Sequence, residues 1–325
     1  MRAIRVHGFG GPEVLKVEDV AEPRAGRGQL VVRVEAVGVN PVETYIRSGK
    51  YGPMQFPYTP GKDAAGVVES VGEGVTEFKV GDRVYTDGTV TGAYAEKLLA
   101  EVGTVHRLPE RASFEQGAAV GVPAGVAYYA LFYRGGGKAG ETVLVHGGTG
   151  GVGTMAIQMA RAAGFFVVAT AGDEQGRRLV LEQGAHVATD HKITERAEEL
   201  RLLTGGSASR GVDIILEMLA NVNLASDLRV LNRRGRVMVI GSRGTVEIDP
   251  REGMKRDADI RGVMLGGATP EEHRGIYGAI TAGLEAGTLR PVIGMRLKLE
   301  EAARAHQEVM EGESYGKIVM TTGRS

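Results

Sequence analysis

Five glycines in the stretch 147–153 make it the part of the sequence best suited to hold a phosphate group. Gly148, Gly150 and Gly153 match the spacing G-x-G-x-x-G, between a predicted strand and a predicted helix. Such a turn lets a pyrophosphate approach the backbone closely, while the first N–H groups of the helix point at the anion. The alternative is a βα turn that is merely rich in glycine, but the βαβ context favours a dinucleotide site.

The end of the next predicted strand indicates which dinucleotide is expected. NAD sites usually carry an acidic residue there, whereas the 2′-phosphate of NADP needs that acid absent and a cation near. The strand ends in Thr170-Ala171-Gly172, and Arg177 and Arg178 follow in the next predicted helix. NADPH is therefore the predicted cofactor. The alternative is that Asp173 caps the helix or binds the ribose, and that the arginines belong to a solvated surface.

The composition limits the chemistry that the rest of the chain can contribute. The 325 residues include no cysteine, which excludes disulfides, thiolate nucleophiles and thiolate-bound metals. The 7 histidines show no metal-like spacing. A formal net charge of -1 provides no overall positive field for nucleic acid, although a local basic patch remains open. Because no long apolar run is present, we expect a cytoplasmic protein.

The elements that position these residues follow two patterns. Valine-rich stretches separated by glycine turns predict a compact β-rich first third, with strands at 29–39, 64–72 and 81–86. Farther along, strands and helices alternate, which predicts a parallel sheet with helices on both faces. Its predicted strands are Thr142–His146, Phe165–Thr170, 186–190, Val212–Met218, Arg236–Ile240 and Asp259–Leu265. Its predicted helices are 152–163, 175–183, 194–204 and 223–231.

The last part of the chain breaks this alternation. Predicted helices near 270–287 and 300–311 precede a final strand at 317–322, and we expect this part to fold back onto the first third. The length exceeds what a single core usually supports. We therefore predict an α/β protein of two domains. The predicted domains are a discontinuous β-rich domain of residues 1–122 and 266–325, and an α/β domain of residues 123–265.

Several motifs spread over nearly the whole chain resemble those of a known superfamily. They are "GGPEVLK" (10–16), "GVNPVETYIRSG" (38–49), "PYTPGKDAAGVV" (57–68), "FKVGDRV" (78–84), "VLVHGGTGGVG" (143–153), "EMLANVNL" (217–224) and "GSRGTVEI" (241–248). With them the chain resembles the medium-chain dehydrogenase/reductase superfamily, and within it the zeta-crystallin-type NADPH:quinone oxidoreductases. The resemblance implies a Rossmann doubly wound parallel sheet plus a discontinuous, β-rich, GroES-like catalytic domain.

The chain departs from the zinc-dependent alcohol dehydrogenases of that superfamily at the metal positions. Asn40 stands where those enzymes carry a cysteine ligand, and Gly61-Lys62-Asp63 replaces their Gly-His-Glu. The cysteine-rich lobe that would hold a second zinc is also missing. We therefore expect no metal site, and a hydride transfer from NADPH to an electron-poor acceptor such as a quinone, which does not require a Lewis acid.

The resemblance also implies which residues contact the cofactor. These are Tyr45, Thr149, Gly150, Gly151, Val152, Gly172, His191, Asn223, Ile240, Gly241, Ser242, Arg243, Val263, Met264 and Leu265, to which the 2′-phosphate argument adds Arg177. Asn40 and Tyr45 are the candidate catalytic residues, because an amide and a phenol after a strand end suit the nicotinamide carboxamide or a quinone oxygen in a cleft between the domains.

Each of these assignments has a structural alternative. Asn40 can simply cap the helix that begins at Pro41, and Tyr45 can be a packing residue. Arg243 can bond a nearby carboxylate, and His191 can be an ordinary loop residue. Glu43 and Asp63 are further candidates for acid/base work, but a metal-free reductase can take its proton from water, so no general acid is assigned.

The leading functional hypothesis is an NADPH-dependent quinone oxidoreductase that binds a small quinone or enone. The alternatives are a double-bond reductase of α,β-unsaturated carbonyls and a nucleotide-binding protein with an RNA-binding role; the balanced charge argues against RNA. No membrane association is expected. The stretch 258–265 would form an exposed edge of the parallel sheet and invite pairing with a second subunit. A homodimer or homotetramer is therefore expected.

Overall fold

The chain folds into two compact units. The computed structural model describes residues 1–204, 211–312 and 315–323. Unit 1 comprises Met1–Val122 and Ala279–Ser325, and unit 2 comprises Pro123–Gly278. Residues 266–278, which the sequence analysis assigns to the discontinuous domain, therefore lie in unit 2. They do so because this segment packs closely there, with Tyr277 against Gly125 and Gly275 against Tyr133.

The elements are numbered in chain order. The strands are β1 (Arg2–Arg5), β2 (Lys16–Asp19), β3 (Gln29–Gly38), β4 (Ala64–Val71), β5 (Arg83–Thr86), β6 (Lys97–Glu101), β7 (Val105–Arg107), β8 (Thr142–Val145), β9 (Phe166–Thr170), β10 (Val187–Thr189), β11 (Val212–Glu217), β12 (Leu231–Val239), β13 (Asp259–Gly262), β14 (Ile293–Lys298) and β15 (Lys317–Thr321). The helices are α1 (Pro41–Arg47), α2 (Phe114–Ala118), α3 (Gly121–Tyr128), α4 (Gly151–Ala162), α5 (Glu174–Glu182), α6 (Ala197–Leu203), α7 (Ala220–Val230), α8 (Pro250–Met254), α9 (Pro270–Ala286) and α10 (Ala302–Glu311).

Unit 2 contains a six-stranded parallel sheet in the order β10-β9-β8-β11-β12-β13. This is the doubly wound order in which the chain starts in the middle, at β8, and reverses direction between β8 and β11. The central strands are short apolar runs, and Val143, Leu144 and Val145 of β8 are fully buried. Such runs are expected where helices cover both faces of a sheet. The structure confirms the predicted fold class.

The edge strand β13 is shorter than the sequence predicts. The expected strand Asp259–Leu265 ends at Gly262, and a 3₁₀ turn over Leu265–Gly267 follows. Its neighbour β12 also ends, at Val239, and the ladder between the two strands closes with a hydrogen bond from the N–H of Val263 to the carbonyl of Val239 before the chain enters that turn.

Unit 1 contains a larger sheet in the order β14-β15-β3-β4-β5-β7, with β6 also paired to β3. Only β14 and β15 run parallel to each other, and the remaining pairs are antiparallel. Val319 of β15 lies opposite Gly38 of β3, so the end of the chain does pair with the first third. Leu30, Val32 and Leu98 are among the fully buried residues of the core of this unit.

The helices of the described part do not include a membrane-spanning candidate. None of them combines the length and the apolar character that a crossing requires.

Candidate functional site

The glycine turn of unit 2 joins β8 to α4 at the point where the sheet reverses direction. Gly147 adopts a φ of 59°, a conformation that favours glycine, and Gly150 is the residue that caps α4. The N–H groups of Gly147 and Gly148 donate to the hydroxyl and the carbonyl of Thr170 at 3.1 and 2.9 Å. The turn is therefore fixed to the end of β9, and the first N–H groups of α4 have no partner within the helix.

Three glycines of the turn differ in what surrounds them. A Cβ on Gly153 would lie 2.3 Å from the carbonyl oxygen of Gly147, and one on Gly148 would lie 2.9 Å from Val180. A Cβ on Gly150 would meet only the Gly147 oxygen, at 3.5 Å. Gly148 and Gly153 thus permit close packing of the turn, whereas Gly150 leaves open space against the backbone. This arrangement fits a dinucleotide whose pyrophosphate approaches at Gly150.

The end of β9 carries the residues that decide the nucleotide type. Asp173 caps α5, where its carboxylate accepts the N–H of Gly176 at 2.7 Å, as the structural alternative for this residue supposes. Arg177 and Arg178 both form ion pairs with Glu174, at 3.2 and 3.4 Å. Arg177 is half-buried and Arg178 is exposed. The acid nearest to the strand end is therefore committed to the helix, and two cations stand beside it.

His191 contacts the same strand end. Its Nδ1 lies 2.9 Å from the hydroxyl of Thr170, which also accepts the N–H of Gly147. Gly172 lies beside it, since a Cβ on Gly172 would meet only Nε2 of His191, at 3.6 Å. Desolvation lowers the pKa of His191, and the neighbouring His146 lowers it further. A neutral imidazole and an open glycine therefore face each other after β9 and β10.

The predicted cofactor contacts of unit 2 share one position in the fold. They follow the carboxyl ends of the parallel strands, which meet at one edge of the sheet. They are Thr149, Gly150, Gly151 and Val152 after β8, Gly172 and Arg177 after β9, His191 after β10, Asn223 after β11, Ile240, Gly241, Ser242 and Arg243 after β12, and Val263, Met264 and Leu265 after β13. Arg243 is exposed, and its backbone N–H donates to Asn221 at 2.8 Å.

In unit 1, Asn40 caps α1 and is buried. Its Nδ2 donates to Asp63 at 2.9 Å, and its Oδ1 accepts a hydrogen bond from the ammonium of Lys317, which also lies 3.2 Å from Asp63. The N–H of Val122 donates to the other oxygen of Asp63 at 2.8 Å. Burial raises the pKa of Asp63, and Lys317 opposes that rise. The amide of Asn40 therefore makes its hydrogen bonds to Asp63 and Lys317 within unit 1.

These residues do not fit a zinc site. Asn40 and Asp63 offer an amide and a carboxylate, but the ammonium of Lys317 lies between them and contacts both. A divalent cation at the same place would meet this positive charge at close range. Sequence reasoning missed Lys317, because it follows Asn40 by 277 residues and belongs to an ordinary strand pattern.

A second set of buried hydrogen bonds links α1 to α10. A guanidinium nitrogen of Arg47 lies 3.1 Å from Nδ1 of His306, and Nε2 of His306 lies 3.1 Å from the hydroxyl of Tyr94. That hydroxyl donates to Glu43 at 2.7 Å. Glu43 also accepts the backbone N–H of Asn40 at 2.9 Å. Both Glu43 and Asn40 therefore hold the start of α1, the helix that carries the candidate catalytic phenol.

Tyr45 lies in the middle of α1 and is half-buried. Its side chain therefore keeps an accessible part, and the packing alternative and the functional one both remain open for it.

Comparison with known proteins gives the chain a family. A model described as zinc-binding dehydrogenase matches residues 151–280, and one described as alcohol dehydrogenase GroES-like domain matches residues 26–110. The quinone oxidoreductase of Homo sapiens is 49% identical over 323 residues, which cover 98% of this chain and 97% of the relative. The chain belongs to the quinone oxidoreductase family. This confirms the zeta-crystallin-type branch of the medium-chain dehydrogenase/reductase superfamily that the motifs indicate.

Solved structures show that the similarity extends over the whole length of the chain. The Escherichia coli quinone oxidoreductase complexed with NADPH has a TM-score of 0.88 at 29% identity and covers 99% of this chain and 100% of its own. An NAD-dependent alcohol dehydrogenase has a TM-score of 0.92 at 28% identity, with the same coverage of both chains. The shared fold therefore includes relatives that use either nicotinamide cofactor.

One cluster of this quinone oxidoreductase family member was not found from the sequence. His146, Glu217 and Asp227 lie together at the carboxyl ends of β8 and β11 and inside α7, and all three are buried. Glu217 lies within a motif quoted above, and His146 directly precedes the glycine turn. The sequence feature that could have indicated the cluster is a polar residue at the end of a buried strand, as His146 and Glu217 both are. Asp227, inside a helix, carried no such feature.

Proposed function

We propose that the protein is an NADPH-dependent quinone oxidoreductase that works without a metal ion. The full-length likeness to quinone oxidoreductases carries the choice of reaction, and the open backbone at Gly150 supports the cofactor. When bound, NADPH would supply a hydride for an electron-poor acceptor. The chain itself would bind, orient and shield the reactants.

The surroundings of α5 support NADPH over NADH. The carboxylate of Asp173 is engaged at the helix start, so it is not available to a ribose 2′-hydroxyl without losing that cap. Arg177 and Arg178 are held by surface ion pairs with Glu174, which contribute about 0–1 kcal/mol each. A 2′-phosphate would therefore compete readily for either arginine. We assign this contact to Arg177.

The remaining cofactor contacts are proposed on their shared position at one sheet edge. The pyrophosphate would accept hydrogen bonds from the N–H groups at the start of α4, in the stretch 149–152. Gly172 and His191 would line the adenosine end. Asn223, the stretch 240–243 and the stretch 263–265 would complete the site.

In unit 1 we propose Asn40 and Tyr45 as the catalytic residues, and Asn40 also as the residue that positions α1. A phenol can donate a hydrogen bond to the oxygen on which negative charge develops when a quinone is reduced. Asn40 caps α1 and is tied to Asp63 and Lys317, so it would fix the helix that carries Tyr45.

Zinc independence is proposed on the chemistry of the same residues. The sequence has no cysteine, and Lys317 places an ammonium between Asn40 and Asp63. Amide, carboxylate and ammonium side chains held in one hydrogen-bonded set do not form a zinc site.

The test combines purified protein with NADPH or NADH and a panel of ortho- and para-quinones, alkenals and alcohols, followed by the absorbance of the reduced cofactor. We expect oxidation of NADPH with quinones, unaffected by a zinc chelator. Preference for alkenals would assign a double-bond reductase instead. Absence of NADPH oxidation with every quinone, or tightly bound zinc, would overturn the proposal.

A matched pair of variants tests the cofactor preference. Arg177→Ala should weaken NADPH binding and leave NADH binding unchanged, whereas Arg178→Ala, the exposed neighbour, should change both less. Equal losses for NADPH and NADH in Arg177→Ala would contradict the 2′-phosphate contact.

We further propose a cytoplasmic homodimer, or a tetramer built from such dimers. Strand β13 forms the edge of the parallel sheet, and Ile260 and Met264 beside it are 45% and 62% exposed. An exposed edge strand of this kind can pair with its copy. Light scattering should give a dimer or tetramer for the wild type and a smaller species for Ile260→Lys. A monomeric wild type would refute the assembly, and cell fractionation tests the location.

A further inference from the structure

Three acid/base side chains lie buried beneath the crevice where the parallel sheet reverses direction. His146 directly follows β8, Glu217 ends β11 and Asp227 lies in α7, and none is more than 2% exposed. Nε2 of His146 lies 2.9 Å from Asp227 and 3.4 Å from Glu217. The cluster thus joins both strands that flank the crevice.

The two carboxyl groups of the cluster lack a donor unless one of them keeps a proton. Among the described residues, one oxygen of Glu217, one oxygen of Asp227 and Nδ1 of His146 are fully buried without a hydrogen-bond partner. Two adjacent carboxylates that are both ionised and buried would repel each other strongly. A single proton between them removes one charge and supplies the missing donor. Nε2–H of a neutral His146 then donates to Asp227, since burial lowers the pKa of this histidine.

The surrounding charges agree with this proton count. Among the described residues, His146, Glu217 and Asp227 shift the pKa values of one another. The other titratable group that interacts with the cluster is His191, which faces His146 from the segment after β10. Burial raises the pKa of Glu217 and of Asp227 to about 7. The pair as a whole therefore loses its shared proton near or above neutral pH, because the two groups titrate together.

Glu217 also reaches the proposed cofactor side. Its Oε1 accepts the backbone N–H of Leu219 and, at 3.2 Å, the Nδ2 of Asn223. The N–H of His146 donates to the carbonyl of Leu216 at 3.1 Å, one residue before the glycine turn. A change in the charge of Glu217 therefore affects its hydrogen bonds at the start of α7. It also occurs close to the glycine turn that follows β8.

We propose that Glu217 is a positioning residue that holds Asn223 for NADPH through a proton shared with Asp227, and that NADPH affinity falls when this proton leaves. This inference rests on the proposed function. Loss of the proton adds a buried negative charge beneath a site for an anionic ligand and makes the two carboxylates repel, so both effects weaken binding.

The test compares NADPH affinity, measured by fluorescence from about pH 6 to about pH 9, in the wild type and in Glu217→Gln. The amide retains an acceptor for Leu219 and Asn223 and donates permanently to Asp227, so it imitates the protonated acid. We expect the wild-type dissociation constant to rise by up to about tenfold per pH unit above the transition, the limit for one linked proton. The variant should keep its affinity across this range. Glu182→Gln, the same change on the surface of α5, should behave as the wild type does.

Two further measurements keep the outcomes distinct. The buffer dependence of the calorimetric heat counts protons taken up when the wild type binds NADPH above neutral pH; uptake is expected, and zero uptake overturns the inference. Asp227→Asn gives a second variant should Glu217→Gln fail to fold.

A wild type that binds no NADPH refutes the proposed function itself, whereas binding with a pH profile shared by Glu217→Gln overturns only this inference. One divalent ion per chain, lost in Glu217→Gln, would show a metal in place of the proton.

Discussion

Replacing Lys317 by methionine is expected to destabilise unit 1 by about 3–5 kcal/mol, the usual cost of breaking a buried ion pair from one side. Asp63 is fully buried and, among the described residues, would keep two donors, Asn40 at 2.9 Å and Val122 at 2.8 Å. Methionine fills a similar volume, so the loss reports the missing charge rather than a large cavity.

The cost should depend on pH in a defined direction. Burial already raises the pKa of Asp63, and loss of the ammonium raises it further. A carboxyl whose pKa is higher in the folded state than in the unfolded state favours folding when protonated. The stability of Lys317→Met should therefore fall as pH rises from the unfolded value of about 4 through the folded value.

The assay is urea unfolding followed by far-ultraviolet circular dichroism at fixed protein concentration, at two pH values. Asp63→Asn and the double variant Lys317→Met/Asp63→Asn complete a double-mutant cycle. We expect the double variant to be more stable than the sum of the single losses, because no uncompensated charge is left. A loss below about 0.5 kcal/mol for Lys317→Met, or strict additivity in the cycle, would refute the reasoning.

Two further predictions follow from buried geometry elsewhere. Gly150→Ala should weaken NADPH binding about tenfold or more and leave the melting temperature unchanged, because the added Cβ meets only the Gly147 oxygen. Gly153→Ala should instead lower the free energy of unfolding by about 1–3 kcal/mol, because its Cβ would clash with that oxygen. Equal melting temperatures for the two variants would contradict this prediction. Burial, reinforced by Arg47, lowers the pKa of His306 to about 3, so stability should fall below about pH 6.5 by at most about 1.4 kcal/mol per pH unit. Acid titrations of His306→Gln should show a shallower loss, and an identical acid limb would exclude His306 as its source.

The parallel sheet could be predicted from sequence because its strands are local patterns. Thr142–Val145 and Val212–Glu217 are short apolar runs bounded by polar or glycine residues, and a helical pattern follows each. The start of β12 could not be predicted in this way. The sequence pattern predicts a strand that begins at Arg236, whereas β12 begins at Leu231. Its first residues include the exposed Arg233 and Arg234, which lie in the register shift between Leu231 and Arg236, and the side-chain pattern carries no information about such an irregularity.

The candidate site divides in the same way. The glycine turn was visible because its function depends on backbone shape, which a few adjacent residues specify. The setting of Asn40 was not, because Lys317 reaches it from a distant strand. Nor was the contact of His146 with Asp227, which lie 81 residues apart. Contacts of this kind depend on how strands and helices are assembled, and spacing along the chain does not encode them.

The position of β15 between β14 and β3 in the larger sheet of unit 1 has a consequence for protein synthesis. Because β15 lies between β14 and β3, a nascent chain holds every residue of unit 2 before the ribosome has produced the strand that completes unit 1. Domains generally fold as units during translation, at about 5–20 residues per second. The interrupted unit must therefore wait, with β3 short of a neighbour and Asn40 and Asp63 without their ammonium, and the inserted unit can reach its native state first. Ribosome-arrested chains ending before β14 should accordingly protect unit 2 from protease while unit 1 is still cleaved.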